Sequence, residues 1–195
     1  MRILLIAVLA VSATVSLRSA ELTTRERSRL VAHLEMTGSW LTDEVSNLSQ
    51  EQLDFRPTSA AWSIMEVVEH LIVVGPIYWN DLQQALQERP SKRLLTTGDA
   101  DILWYGIDRT QRETAIPSER PPGGLRDIRK ALEAYRTQHA RLLEYARTTK
   151  DDLRSHVVDR QQCDAYQWAL LISTHEQRHV LQIREIRAHP SFPAK

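Results

Sequence analysis

Apolar residues recur three and four positions apart along four separate stretches of the chain, and this spacing constrains the fold more than any other feature. From Thr23 or Thr24 to about Leu48 the positions are Leu30, Leu34, Leu41, Val45 and Leu48, with Val31 alongside and charges opposite. An α-helix repeats every 3.6 residues, so these side chains fall on one stripe. Ser63-x-x-Glu66 offers a capping box for a second helix to about Gln87, whose stripe is Ile64, Val67, Val68, Leu71, Val74, Tyr78 and Leu82. Pro76 lies inside that stripe and, lacking a backbone N–H, is expected to kink or split the helix. A third helix is expected from about Leu125 to Arg147, and a fourth from about Asp164 to Ala188, halted by Pro190. Between the second and third, residues 88 to 123 carry Pro90, Pro117, Pro121, Pro122 and Gly123 around the apolar island Ile102 to Tyr105. Connections of that length usually serve a function or order as a lid. No strand-like alternation appears. The expectation is an all-α four-helix bundle with a long connection between helices two and three.

The first twenty residues do not belong to this pattern. Arg2 precedes the apolar or small stretch Ile3 to Leu17, which ends in Arg18-Ser19-Ala20. This is the layout of a signal peptide, and its core is shorter than the ~20 residues a permanent bilayer span needs. Residues 1–20 are thus read as a signal peptide and 21–195 as the bundle domain, exported to the periplasm or secreted. Cleavage would leave no stable membrane span. Arg18 occupies a position where cleavage favours a small residue, so an uncleaved, membrane-tethered form is the alternative.

An exported chain can keep disulfides, yet Cys163 is the only cysteine, so no internal bridge is expected and stability is left to packing and a metal. At 195 residues one compact domain is expected. Lys and Arg number 25 against 25 Asp and Glu, with no basic stripe, which argues against nucleic acid as a partner. A small-molecule substrate is the expected ligand.

His175 and His179 stand four apart on the fourth helix, so their side chains project from one face on successive turns. That spacing suits two ligands of one divalent ion, with zinc, nickel and iron all accepting neutral imidazole. His70 is the best third donor, because it lies beside Val67 and Val74 on the inward stripe of the second helix. Three protein ligands with an open position describe a reactive rather than a structural site. Glu66, one turn before His70, and Glu176 are candidate general bases or orienting groups. His139 falls on the third helix's stripe, where one hydrogen bond in the core is the simpler role. Residues 175 to 179 also spell H-E-x-x-H, the signature of zinc proteases. Gln182 and Glu185 replace the glycine and histidine of the longer protease pattern, and little chain follows to supply a downstream ligand, so protease ranks behind the other readings.

Trp62-Ser63-Ile64-x-Glu66-x-x-x-His70-Leu71, followed far downstream by His175-x-x-Arg178-His179-x-x-Gln182-Ile183, resembles the DinB-like superfamily. Tyr166-Gln167-Trp168, Asp108-Arg109-Thr110 and the closing Pro190-Ser191-Phe192-Pro193 are similar to one branch of it. The resemblance implies a four-helix bundle, often a homodimer, holding a divalent metal on His70, His175 and His179. It implies a metal-dependent hydrolase or thiol-type transferase as the function, with a non-catalytic metal-binding envelope or stress protein as the rival. Export would separate this chain from the cytoplasmic supply of reduced thiol.

Overall fold

The computed structural model describes residues 21–91, 93 and 95–194. The expected signal segment, residues 1–20, lies outside the described residues. Four long helices make the bundle: α1 (Thr24–Val45), α3 (Ile64–Gln87), α5 (Ile128–Thr148) and α6 (Ala165–Arg187). Two short ones join them, α2 (Gln50–Asp54) and α4 (Asp99–Ile107), with a 3-10 turn at Pro117–Glu119. The four starts share one device. Thr23, Ser63 and Asp164 each accept from the backbone N–H three residues on, while Glu26, Ser63's partner Glu66, and Gln167 reach back to the cap. Asp127 caps α5 by accepting from the Arg129 and Lys130 N–H groups.

Around the bundle the neighbours run α1, α6, α3, α5, and α4 lies on the outer side of α6. Gly106 permits that close crossing, since a Cβ there would sit 2.7 Å from Gln177 Oε1 and 3.0 Å from the Thr174 carbonyl. With α4 outside it, α6 is buried on every side, without interruption from Ala165 to Val180. Leu30, Leu34, Val74, Leu142 and Trp168 form one apolar cluster, and Leu41, Val67, Leu71, Leu132 and Val180 another. The break falls at the same height on all four helices: Thr37, His70, His139 and the 173–179 segment occupy it. A layer of polar side chains therefore cuts the core in two.

Three expectations need correction. Pro76 does not split α3, which runs unbroken through it. The carbonyl that Pro76 cannot reach belongs to Ile72, and the Gln138 amide of α5 donates to it at 3.1 Å. Gly75 makes room for that amide, because a Cβ there would collide with Gln138 Oε1. Secondly, residues 88–123 are not without structure: the island Ile102 to Tyr105 is the centre of α4. Thirdly, a two-residue antiparallel pair, β1 (Val157–Val158) with β2 (Cys163–Asp164), precedes α6, joining Val157 to Asp164 and Val158 to Cys163. Among the described residues no helix is long and apolar enough to cross a membrane.

Candidate metal centre

α3 and α6 bring His70, His175 and His179 into the polar layer from facing sides. His175 and His179 follow one another by one turn of α6, and His70 comes across from α3. Their Nε2 atoms converge: His70 to His175 is 3.3 Å and His179 to His175 is 3.1 Å. Donors about 2.1 Å from a tetrahedral ion stand roughly 3.4 Å apart, so the separation matches a shared ion. Among the His, Cys, Asp and Glu side chains of the described residues, these three bring their ligand atoms together in this way.

The opposite nitrogens are anchored. His70 Nδ1 lies 2.6 Å from the Glu119 carbonyl, and His179 Nδ1 lies 2.8 Å from Gln182 Oε1. Both partners are acceptors, so each ring carries its proton on Nδ1 and offers the Nε2 lone pair inward. Burial holds the rings neutral. It pulls His70 down to about 4 and His175 to about 3, with His70, Arg178 and Arg160 adding repulsion to the latter. His179 is pushed well below its ordinary value for the same first reason, burial, with His175 and His70 adding to it. Neutral imidazole is the form that binds a divalent ion.

The residues beside two of the ligands grip the long connection. Glu69, next to His70, accepts from the backbone N–H groups of Gly123, Gly124 and Leu125 at 2.8, 2.9 and 3.2 Å. Arg178, next to His179, donates to the carbonyls of Tyr105, Asp108 and Gln111. Arg109 of the connection pairs with Glu185 of α6 through two bonds of 3.0 and 2.9 Å. Glu119, whose carbonyl meets His70, is itself ion-paired to Arg160. The connection is thus fastened across the histidines from both helices. Trp62 forms the half-buried aromatic wall, 5.0 Å from the His70 ring and 6.4 Å from His179, nearly parallel to the latter at 20°.

The two candidate carboxylates are elsewhere. Glu66 closes the α3 capping box and pairs with Arg56 at 2.5 Å. Glu176 turns toward α1 and α5, where Thr37 donates to Oε2 at 2.8 Å and His139 lies 3.2 Å from Oε1. Neither hydrogen-bonds to any of the three histidines. Cys163 is buried and its thiol is pushed up to about 12 by burial, which makes it inert at neutral pH. Glu119 and Glu69 were not singled out by the sequence. Gln182 had a signal, lying one turn after His179 on the same helix face, whereas a backbone carbonyl from a distant turn leaves none.

Comparison with known proteins agrees with this geometry. Residues 24–183 match the model of the DinB superfamily. The uncharacterized protein YuaE of Bacillus subtilis (strain 168) is 27% identical over 152 residues, which cover 74% of this chain and 89% of that protein. Among solved structures, YfiT from Bacillus subtilis superposes with a TM-score of 0.60 at 16% identity, covering 89% of this chain and 93% of its own. YfiT is described as a probable metal-dependent hydrolase with an unusual four-helix bundle topology.

Proposed function

The chain belongs to the DinB superfamily, and from that premise we propose that it is a metal-dependent hydrolase acting on a small molecule at His70, His175 and His179. One observation carries the reading: three buried imidazoles point their Nε2 atoms at one point, with no fourth protein ligand among the described residues to close the coordination shell. The donor set fits zinc, nickel or iron(II), which all take neutral imidazole. When bound, the ion supplies Lewis acidity, lowering the pKa of a water toward neutrality.

The chain's own side chains do the rest. The Glu119 carbonyl and Gln182 fix two rings in the tautomer that binds. The connection, held by Glu69 and Arg178, keeps bulk water off the histidines, which are under a tenth exposed. Trp62 gives a flat apolar wall against which part of a substrate can rest. Glu176 has no base role here, because its oxygens face α1 and α5. A thiol in place of water would make the same centre a transferase.

The test is metal content and turnover together. His70→Ala, His175→Ala and His179→Ala are each expected to lose one equivalent of metal per chain relative to wild type. Hydrolysis of activated esters or amides should fall with it and return in wild type when metal is restored after chelation. Full metal retention in His175→Ala would refute the site. Metal loss in the variants, with no metal-dependent turnover in wild type, would favour a non-catalytic role.

A further inference from the structure

The polar layer holds a second group of donor atoms that the histidine centre does not use. On the α1–α5 side of α6, three potential ligands meet: Tyr135 and His139 of α5 and Glu176 of α6. His139 Nδ1 lies 3.2 Å from the Tyr135 hydroxyl and 3.2 Å from Glu176 Oε1. Those separations match the 3.1 and 3.3 Å of the histidine triad.

Two of the three are also held from behind. The remaining ring N–H of His139 donates to the Leu34 carbonyl. Thr37 donates to the other oxygen of Glu176 at 2.8 Å. Anchors of this kind fix the tautomer and the aim of metal-binding side chains. α1 is shaped to admit the ring, for a Cβ at Gly38 would stand 2.6 Å from His139 Nε2. A glycine inside a helix weakens it relative to alanine, so its presence here needs a reason, and the imidazole is one.

The same three side chains line a crevice of about 90 Å³ between α3 and α5, with Trp79, Leu142 and Ile172 as apolar walls. A water needs only about 10–15 Å³ of such space, so the crevice admits an ion with several waters. Donor set, spacing, anchors and access thus coincide at one place.

We propose that Tyr135, His139 and Glu176 form a second metal site, for a transition-metal ion that takes mixed nitrogen and oxygen donors, on the part of α6 that faces α1 and α5 rather than α3. One imidazole and two oxygens, one of them a phenol, suit copper(II) or ferric iron, which take imidazole together with oxygen donors. The site uses Glu176, the residue following His175, so two consecutive positions of one helix serve two ions.

Metal-depleted full-length protein titrated with copper(II) against a competing chelator tests this, with the visible spectrum followed throughout. Wild type is expected to take up two equivalents per chain, one of which brings in a tyrosinate-to-copper charge-transfer band. His175→Ala/His179→Ala, which lacks the triad, should keep one equivalent together with the band. Tyr135→Phe retains the ring that fills the core, and should lose the band and weaken that equivalent by about tenfold or more. A single equivalent without the band in wild type, or a band that survives Tyr135→Phe, would overturn the proposal and leave a hydrogen-bonded cluster only. Two undiminished equivalents in His175→Ala/His179→Ala would instead remove the histidine centre and leave this one standing.

Discussion

At the level of single residues, the metal centre depends on partners that are not ligands. Gln182 Oε1 holds His179 by its Nδ1–H at 2.8 Å. Gln182→Met keeps the length of the side chain and removes the acceptor, so the ring is free to turn. Metal affinity measured by chelator competition is expected to fall about 10–100-fold, the usual effect of losing such a partner, with the circular dichroism spectrum unchanged. Wild-type affinity in Gln182→Met would show that packing alone aims His179. The triad itself was legible because helical spacing and an apolar stripe suffice to orient His70, His175 and His179. The Glu119 carbonyl that holds His70 was not, because any residue in that turn presents a carbonyl. Glu176 was read as a candidate base or orienting group, but its direction was not legible, because α1 and α5 decide it through Thr37 and His139.

Among the elements, the long helices were legible and their linkers were not. α1, α3, α5 and α6 each carry a full apolar stripe and a strong cap, so local and tertiary signals agree. α4 has nine residues, too few for the periodicity to be distinctive, and owes its place to packing on α6 through Gly106. α3 continues past Pro76 because the Gln138 amide of α5 donates to the free Ile72 carbonyl, which no pattern within α3 reveals. The segment after α4 is fastened electrostatically by Arg109 and Glu185. Arg109 holds the Glu185 carboxyl below its ordinary 4.5. A carboxylate whose folded pKa is depressed stabilises above its unfolded pKa, and that contribution is lost as pH falls through the folded value. Hydrogen exchange of the amides around residues 108–112, corrected for intrinsic rate, should therefore be steady above about pH 4.5 and accelerate below it. Glu185→Gln should give the fast exchange at neutral pH as well. Protection that is indifferent to both changes would mean that Arg178 alone fastens the segment.

For the molecule as a whole, the decisive feature is the polar layer between two apolar clusters. A layer of neutral imidazoles gains little from folding when empty and much when an ion joins α3 to α6. At an ion concentration 100 times its dissociation constant, binding adds about 2.7 kcal/mol. In a chain of this size that corresponds to a rise in Tm of roughly 5–10 °C. Chelation should remove the rise in wild type, and the part due to the histidines should be missing in His175→Ala/His179→Ala, where only an ion on Tyr135, His139 and Glu176 is left to remove. Equal melting with and without metal in wild type would place the ion outside the folded core.

From Ala165 to Val180 α6 is enclosed on all sides, and successive residues on a helix point about 100° apart. Within such an element, neighbours in sequence are neighbours of different surroundings: His175 faces α3 while Glu176 faces α1 and α5. A pattern such as H-E-x-x-H presumes a helix with one working face and a solvent-filled cleft before it. Enclosure withdraws that presumption. The five letters from His175 to His179 then describe two addresses, and any search that scores them as one motif will place this bundle among peptidases whose glutamate it spells but does not aim.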